Sequence, residues 1–494
     1  MTPILDSRGH FWWSDHLTGE IIGLPDLSVA GRLTIDESGK ILLELDGILS
    51  DGLRTMLDSF NTEAIITKSI AGLLYDSDYI FLTKLRLVSS HFGSQTVSRE
   101  KYQAIYCLRG DFRGARDEHL STVRNFNIKL TGIDEWLKTP RIRNIDETAE
   151  GGTVKKVFEY KREEFQFSVA NAKLSFRFDL DRDFFKDSLI GWKEVSFGQT
   201  AILRYERESL LGIEQVRELV VRLQEFFALL MGVYPDLDWP QITLKVGDAD
   251  NGGTLYFLRN RPSGENPSLA DLWSSFPSIR SSIGALFDAF MTTREQYGPG
   301  VYLYLACLRA ESMFAENRFT TLITGLESLY RRDSSLPQES SNEKARIDRV
   351  LRDVKVESDK NWLRKKLETR AELSLQDRLS RLFEPLSQFV EMQKLKVFAE
   401  KCANLRNDVT HFGGLRGTTT YHDLLTELGT ITPGLSVLYH ALLLHRIGMA
   451  PTMIEDAFTS APVSAAIRRD LARAGLLDVA MIPDRLSKTP ETRN

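Results

Sequence analysis

The chain has 494 residues, of which 42% are hydrophobic and 27% are charged, and a polypeptide of this length normally folds into two or three units with separate cores. This composition excludes an intrinsically disordered chain, a collagen-like fibre and an integral membrane protein. The formal charge is −5, which argues against a protein that coats nucleic acid without selectivity.

Targeting and redox signals are weak throughout the sequence. Residues 1–13 mix charged and aromatic side chains and lack the apolar core of a secretory signal. The longest apolar runs, 219–234 and 435–449, are interrupted by charges or histidines. Three cysteines lie far apart in apolar stretches, at 107, 307 and 402, so we expect buried thiols without a disulfide or a CxxC metal site. These features favour a cytoplasmic protein with no membrane association.

The first part of the chain, from residue 9 to about 210, predicts short β-strands. Its clearest hairpin signal is an alternating run over 31–39, a turn containing Gly39, and a second alternating run over 40–47. Many strands at this spacing favour a sandwich or a curved barrel. The period then changes over 212–232, where apolar residues recur at three and four residues, and this predicts one amphipathic helix that Gly232 ends.

From residue 301 to about 449 the pattern is helical, with predicted helices over 302–330, 343–354, 359–369, 375–389, 395–412 and 420–447. The fold class expected is therefore α+β and multidomain, with an N-terminal β-rich sandwich or barrel followed by a C-terminal all-α bundle. The predicted division is a β-rich domain over 1–262, a helical connector over 263–300, the bundle over 301–455 and a tail over 456–494.

Charge is distributed unevenly between these parts. Residues 1–300 carry 35 Lys and Arg against 43 Asp and Glu, whereas residues 301–455 carry 22 against 20. Within the second part, Lys344 to Arg370 holds ten basic and five acidic residues. A locally basic face of this kind suits contact with RNA, and it equally suits a solvated helix surface.

The segment from Arg406 to His411, with the sequence RNDVTH, pairs a cation that grips phosphate with a base that titrates near neutral pH. On an ideal helix two positions five residues apart differ by about 140°. Either the last turn unwinds near Gly413 and Gly414, or the arginine serves a site that another chain completes.

These residue types suit RNA cleavage that needs no metal or other cofactor. His411 would take the proton of a ribose 2′-OH, and Arg406 would stabilise the charge that develops on the phosphate. Asn407 would orient the imidazole or donate to a phosphate oxygen. The expected product is a 2′,3′-cyclic phosphate, because the attacking oxygen belongs to the substrate.

The RNDVTH motif resembles the Arg-x4-6-His signature of HEPN ribonucleases. Residues 319–330 resemble the early HEPN helix, in which an acidic residue, here Glu327, often lies near the site, and Asp408 inside the motif is a second candidate supporting residue. Residues 9–13 and the 31–47 hairpin resemble the N-terminal domain of ApeA-type abortive-infection proteins.

This resemblance implies a metal-independent endoribonuclease that acts as a homodimer, with two motifs facing one cleft. It further implies defence against phage, host RNA such as tRNA as the substrate, and a phage-derived protein trigger at the N-terminal domain.

Two other functions fit parts of the sequence. A non-catalytic HEPN module would bind RNA or a protein partner through the same helices without cutting RNA. A carbohydrate-binding β-sandwich fused to an oligomerising bundle would use Trp12, Trp13 and Trp136 to stack on sugars.

Overall fold

The computed structural model describes residues 3–14, 24–49, 66, 68–91, 98–112, 118–119, 122–139, 142–148, 154–161, 163–183, 196–246, 249–259, 267–337, 341–368, 372–412 and 420–478. The chain divides into two compact units. The first comprises 1–134, 139–224 and 235–266, and the second comprises 135–138, 225–234 and 267–494. No helix within the described ranges combines the length and apolar character needed to cross a bilayer.

The first unit is built mainly from β-strands. In chain order they are β1 (Pro3–Trp13), β2 (Val29–Asp36), β3 (Ile41–Leu45), β4 (Ile70–Leu74), β5 (Tyr79–His91), β6 (Arg99–Gly110), β7 (Val123–Ile128), β8 (Ile142–Thr148), β9 (Val154–Tyr160), β10 (Phe165–Val169), β11 (Ala172–Asp183), β12 (Ser196–Leu211), β13 (Gln241–Val246) and β14 (Ala249–Phe257).

Six of these strands close into an antiparallel barrel. Their order is β6-β3-β2-β1-β4-β5, and β5 pairs back onto β6. The interior is filled by side chains such as Phe11, Leu33, Leu43, Leu82 and Tyr102, each at most 1% exposed. A small barrel filled in this way is a packed core rather than a channel, and the β-rich fold predicted for this part of the chain is confirmed.

Strand β6 belongs to both the barrel and an open sheet. The first half of β6 pairs with β3, beginning with Glu100 opposite Leu45. The second half pairs with β14 and ends with Gly110 opposite Gly253. The open part continues in the order β14-β13-β7-β12-β11-β10, and β8 pairs separately with β9. The predicted 31–47 hairpin is confirmed as β2 and β3, with Gly39 at a φ of 82° in the turn.

The helices in chain order are α1 (Ile133–Leu137), α2 (Ile213–Met231), α3 (Phe276–Ile279), α4 (Ile283–Tyr297), α5 (Pro299–Arg309), α6 (Ala315–Arg332), α7 (Ser341–Asp353), α8 (Glu357–Glu368), α9 (Leu375–Phe383), α10 (Met392–Asn407), α11 (Tyr421–Arg446), α12 (Pro451–Thr459) and α13 (Ser464–Arg473). The helix predicted over 212–232 is confirmed as α2. It ends before Gly232, whose φ of 78° is the left-handed conformation that favours glycine.

Helix α6 lies at the centre of the second unit and packs against α5, α9, α10 and α11. Its inner face buries Phe319, Leu322 and Leu326 completely. Helix α5 approaches α6 closely because Gly300 has no side chain, and a Cβ there would lie 2.7 Å from Leu329. This bundle confirms the all-helical C-terminal part.

Two predicted helices are wrong in extent, and a third, expected over 395–412, ends as an α-helix at Asn407. The single helix expected over 302–330 is two helices, α5 and α6, because the chain leaves helical geometry at Ala310. The guanidinium of Arg318 stabilises this break by donating to the carbonyls of Cys307 and Ala310 at 2.9 and 3.1 Å. The helix expected over 375–389 ends at Phe383 and continues as a 3-10 turn containing Pro385, which has no N–H to donate to the α-helical ladder.

Candidate active site

Helix α10 positions the RNDVTH motif because one of its faces is buried in the bundle. Leu395, Phe398, Cys402 and Leu405 recur at three and four residues and are each at most 3% exposed. The helix packs against α6 and α9. Arg406 follows the last residue of this stripe and is half-buried, so it lies at the border between the core and the surface.

Arg406 forms no ion pair with any carboxylate in the described part of the chain. Its Nη1 donates to Oδ1 of Asn407 at 3.3 Å, and the adjoining stretch 413–419 contains no acidic residue. Other shielded arginines of this unit are paired at 2.6–2.7 Å: Arg294 with Glu225, Arg378 with Glu327, and Arg446 with Asp333. A partly shielded guanidinium without such a partner is suited to binding an anionic ligand.

Asn407 lies beside Arg406 and is also half-buried. Because its Oδ1 accepts from Arg406, its amide N–H groups are left to donate elsewhere. Arg406 and Asn407 therefore present several N–H donors at the end of α10, which is the donor type that holds phosphate oxygens.

A π turn, Asp408–Phe412, directly follows α10. Within it the hydroxyl of Thr410 donates to the carbonyl of Arg406 at 2.7 Å. A hydroxyl bonded to the carbonyl four residues back disturbs the regular ladder and bends helices, and the adjacent β-branched Val409 and Thr410 also lower helix propensity. These two features of the local sequence favour a departure from regular α-helical geometry here.

The π turn alters the angle between positions 406 and 411. An i→i+5 turn needs more residues per revolution than the 3.6 of an α-helix, so a spacing of five residues comes closer to a full revolution. The backbone of His411 belongs to this turn. The side chain of His411, together with Gly413 and Gly414, lies outside the described residues. The departure from α-helical geometry begins at Asp408, ahead of both glycines.

Asp408 is 8% exposed. Its backbone N–H donates to the carbonyls of Asn404 and Leu405, which closes α10. The carboxylate at the first position of the π turn is therefore largely shielded from solvent.

Glu327 lies on α6 within a four-residue ion-pair network. Its Oε1 accepts from Arg378 at 2.7 Å and from Arg331 at 3.3 Å. Both arginines also reach Oε2 of Glu372, at 2.6 and 3.0 Å, and the Arg378 guanidinium lowers the pKa of the Glu372 carboxyl. The Arg378 side chain is only 7% exposed, so the network holds α6 and α9 together and fixes the Glu327 side chain.

The remaining histidines of this region lie on α11. His422 is exposed and His445 is half-buried. His440 is 1% exposed, and its Nδ1 lies 2.6 Å from the hydroxyl of Tyr304. Burial lowers the pKa of His440 to about 3, so this imidazole is neutral in the folded protein at physiological pH.

The structure removes the support for sugar binding through tryptophans. Trp12 and Trp136 are at most 1% exposed, and Trp13 donates from Nε1 to the carbonyl of Leu49 at 2.8 Å. The three cysteines are buried and form no disulfide, as predicted.

Sequence reasoning missed two residues, Thr410, which bonds to Arg406, and Arg378, which bonds to Glu327. The role of Thr410 could have been read from its position one turn after Arg406, because a threonine hydroxyl in a helix commonly donates to the carbonyl four residues earlier. No local signal marks Arg378, which meets Glu327 across 51 residues of sequence.

Two family descriptions match the chain. Residues 7–257 match ApeA N-terminal domain 1, and residues 320–452 match Apea-like HEPN. The first match spans half of the chain and covers the barrel and the open sheet, and the second spans α6 to α11 and includes the RNDVTH motif. No curated protein and no solved structure matches the chain.

Proposed function

Because the chain belongs to the ApeA-like HEPN family of anti-phage nucleases, we propose that it is a metal-independent endoribonuclease whose site contains Arg406, Asn407 and His411. The observation that carries this proposal is the half-buried Arg406, which has no carboxylate partner among the described residues and is followed at once by a π turn. Such turns are frequent at functional sites.

The chemistry is attack of a ribose 2′-OH on the adjacent phosphorus. His411 accepts the hydroxyl proton while the new P–O bond forms, and the bond to the 5′-oxygen of the next nucleotide breaks. The leaving oxygen takes a proton from solvent water. The products are a 2′,3′-cyclic phosphate and a 5′-hydroxyl end.

Arg406 neutralises the charge that accumulates on the phosphate oxygens, and Asn407 donates a further hydrogen bond to them. Each hydrogen-bond donor aimed at the charge that develops in the transition state raises the rate roughly 10²–10³-fold. Glu327 and Asp408 support the site without moving protons. Glu327 holds α6 against α9 through Arg378, and the backbone N–H of Asp408 closes α10 where the π turn begins.

In the intact protein, two copies bring their motifs to one cleft, and the N-terminal domain restrains the nuclease until infection. The proposed division is a sensing domain over 1–262, a connector over 263–300, the nuclease over 301–455 and a tail over 456–494. The acidic balance of residues 1–300, with 35 basic against 43 acidic residues, suits a part that does not bind RNA itself. A phage protein is the proposed trigger, host RNA such as tRNA the proposed substrate, and the cytoplasm the site of action.

The test compares RNA cleavage by purified wild type, Arg406→Ala and His411→Ala in buffer containing EDTA. We expect each substitution to slow cleavage by roughly 10²-fold or more, and mass analysis of the RNA ends to find 2′,3′-cyclic phosphates. Two controls each remove an exposed imidazole or ammonium group outside the motif: His422→Ala on α11 and Lys396→Ala on α10.

Cleavage at the wild-type rate by both motif variants would place catalysis elsewhere. Binding of RNA without cleavage by the wild type would instead support a non-catalytic HEPN module.

A further inference from the structure

Helices α7 and α8 form a hairpin with its own small apolar cluster. Ile347 and Leu351 on α7 pack with Leu363 and Leu367 on α8. On each helix these residues are four apart and share one face. The apolar face of each helix is therefore occupied by the other helix, and the remaining faces are available to solvent or to a partner.

Trp362 is a large aromatic side chain on the outer surface of this hairpin. It is 62% exposed, and among the described residues no ring or hydrogen-bond acceptor pairs with it. It precedes Leu363, so it lies about 100° around the helix from the buried stripe. An exposed indole of this kind offers a flat apolar surface to a ligand.

The surface around Trp362 is basic. Lys365 and Lys366 follow it by three and four residues, so they lie beside it on the same side of α8. Both lysines are exposed and neither forms an ion pair with a described residue. Arg349 on α7 and Lys355 in the turn between the helices are also exposed. Acidic residues lie at both ends of α8, with Glu357 and Asp359 in the first turn and Glu368 as the last residue, and Lys365 and Lys366 lie between them.

We propose that this hairpin binds a single-stranded segment of the substrate RNA, with one base stacked on Trp362 and adjacent phosphates held by Lys365 and Lys366. This inference rests on the proposed ribonuclease function and names a place, outside the RNDVTH motif, where the RNA is held. A base stacked on an aromatic ring beside cationic side chains is the general mode of single-strand binding. In an A-form duplex the bases are already stacked on each other, and the deep, narrow major groove cannot be read by side chains.

A lipid surface is the less suitable partner. Helices that lie in a membrane interface bury a continuous apolar face among the lipids. The apolar face of α8 is instead packed against α7 through Leu363 and Leu367. The exposed apolar side chains of the hairpin, Val350, Val356 and Trp362, are distributed over α7, the turn and α8 and do not recur along one helix.

The experiment measures RNA binding separately from cleavage. In full-length protein carrying His411→Ala, fluorescence anisotropy follows binding of a fluorescein-labelled oligoadenylate of about 16 nucleotides over a range of salt concentrations. Adding Trp362→Ala is expected to weaken binding about tenfold, or ~1.4 kcal/mol, whereas Trp362→Phe keeps most of the affinity. The double substitution Lys365→Gln, Lys366→Gln is expected to reduce the salt slope by about 1.4, because each phosphate of a single strand that a cation neutralises adds about 0.7 to that slope.

A matched control makes the same charge change in the first unit. Lys173→Gln with Lys245→Gln removes two exposed lysines from strands β11 and β13, and we expect affinity and salt slope to stay at the parent values. Circular dichroism and thermal melting of each variant establish that the hairpin is folded when binding is measured.

The possible outcomes separate the two proposals. If wild type cleaves RNA and the hairpin variants bind the oligonucleotide as tightly as their parent, the hairpin proposal is overturned and the nuclease assignment stands. If wild type does not cleave RNA but binds it through Trp362 and the two lysines, the nuclease assignment fails and the hairpin proposal stands. If the same variants lose binding to phosphatidylserine vesicles and not to RNA, the hairpin is a lipid-binding element and the proposal is wrong.

Discussion

The hydroxyl of Thr410 donates a 2.7 Å hydrogen bond to the main-chain carbonyl of Arg406, one turn back along the chain. This bond lies where the α-helix ends at Asn407 and the π turn begins at Asp408. It connects the residue proposed to bind phosphate with the turn that contains the proposed base, so the local geometry of the site depends on a side chain that does not itself react.

Thr410→Val tests this dependence, because valine keeps the shape of threonine and removes the hydroxyl. We expect a loss of stability of about 1 kcal/mol and a fall in the cleavage rate of roughly tenfold or more, since a small displacement of a catalytic group costs up to about 10² in rate. Thr430→Val is the matched control, because Thr430 makes the equivalent bond to the carbonyl of Thr426 on α11 at 2.9 Å. Equal effects of the two substitutions on cleavage would show that the bond near Arg406 has no special role.

A mixed dimer tests whether the site is shared between two copies. Co-expression of Arg406→Ala and His411→Ala chains with different tags yields dimers that retain one Arg406 and one His411 in different subunits. If the two motifs face one cleft, these dimers should cleave RNA well above the rate of either parental variant. Activity no higher than that of the parents would indicate that each chain carries its own complete site.

The network around Arg378 predicts a specific pattern of stability changes. Arg378→Met should lower the free energy of unfolding by about 3 kcal/mol, because it leaves Glu327 beside the buried surface without its closest cation. Adding Glu327→Leu should recover part of this loss, since no uncompensated charge then remains. The comparison is Lys394→Met, which breaks an ion pair with the exposed Asp478 and should cost at most ~1 kcal/mol. Urea denaturation measures the free energy of unfolding of all three variants. Additive losses in the double variant would contradict an energetic coupling between Arg378 and Glu327.

His440 predicts how the stability of the second unit responds to acid. Burial lowers the pKa of His440 to about 3. Between pH 6.5 and pH 3 the imidazole is therefore protonated in the unfolded chain but stays neutral in the folded protein. The free energy of unfolding should therefore fall as the pH drops below 6.5. At 1.36 kcal/mol per pH unit, the loss caused by His440 is about 2 kcal/mol at pH 5.

The measurement is the difference in unfolding free energy between pH 7 and pH 5 for wild type and His440→Gln. The variant should lose less stability over this interval. Asp470 lines the same cavity as His440, and burial raises the pKa of its carboxyl, which acts in the opposite direction. Its contribution is common to both proteins and cancels in the comparison. An unchanged pH dependence in the variant would remove His440 as the cause.

The predicted helices and turns agree best with the structure where the signal is local. The stripe of Leu395, Phe398, Cys402 and Leu405 recurs with the period of a helix and is buried as expected. Gly232 ends α2 because a positive φ suits glycine. The break between α5 and α6 was missed because Arg318 stabilises it from a later turn, by bonding two carbonyls that the sequence pattern does not mark.

The residues by themselves determined the succession of a strand-rich part and a helical part, the buried stripe that holds α10, and the proximity along the chain of the arginine and the histidine that we propose as phosphate-binding cation and base. Each of these follows from periodicity or from side-chain chemistry within a few positions. Only the tertiary structure decided that β5 closes the barrel on β6, that Glu327 is held by Arg378, and that Arg406 has no acidic partner among the described residues. Pairing between distant segments depends on how whole elements pack together, because no short stretch of sequence specifies the group that it will meet.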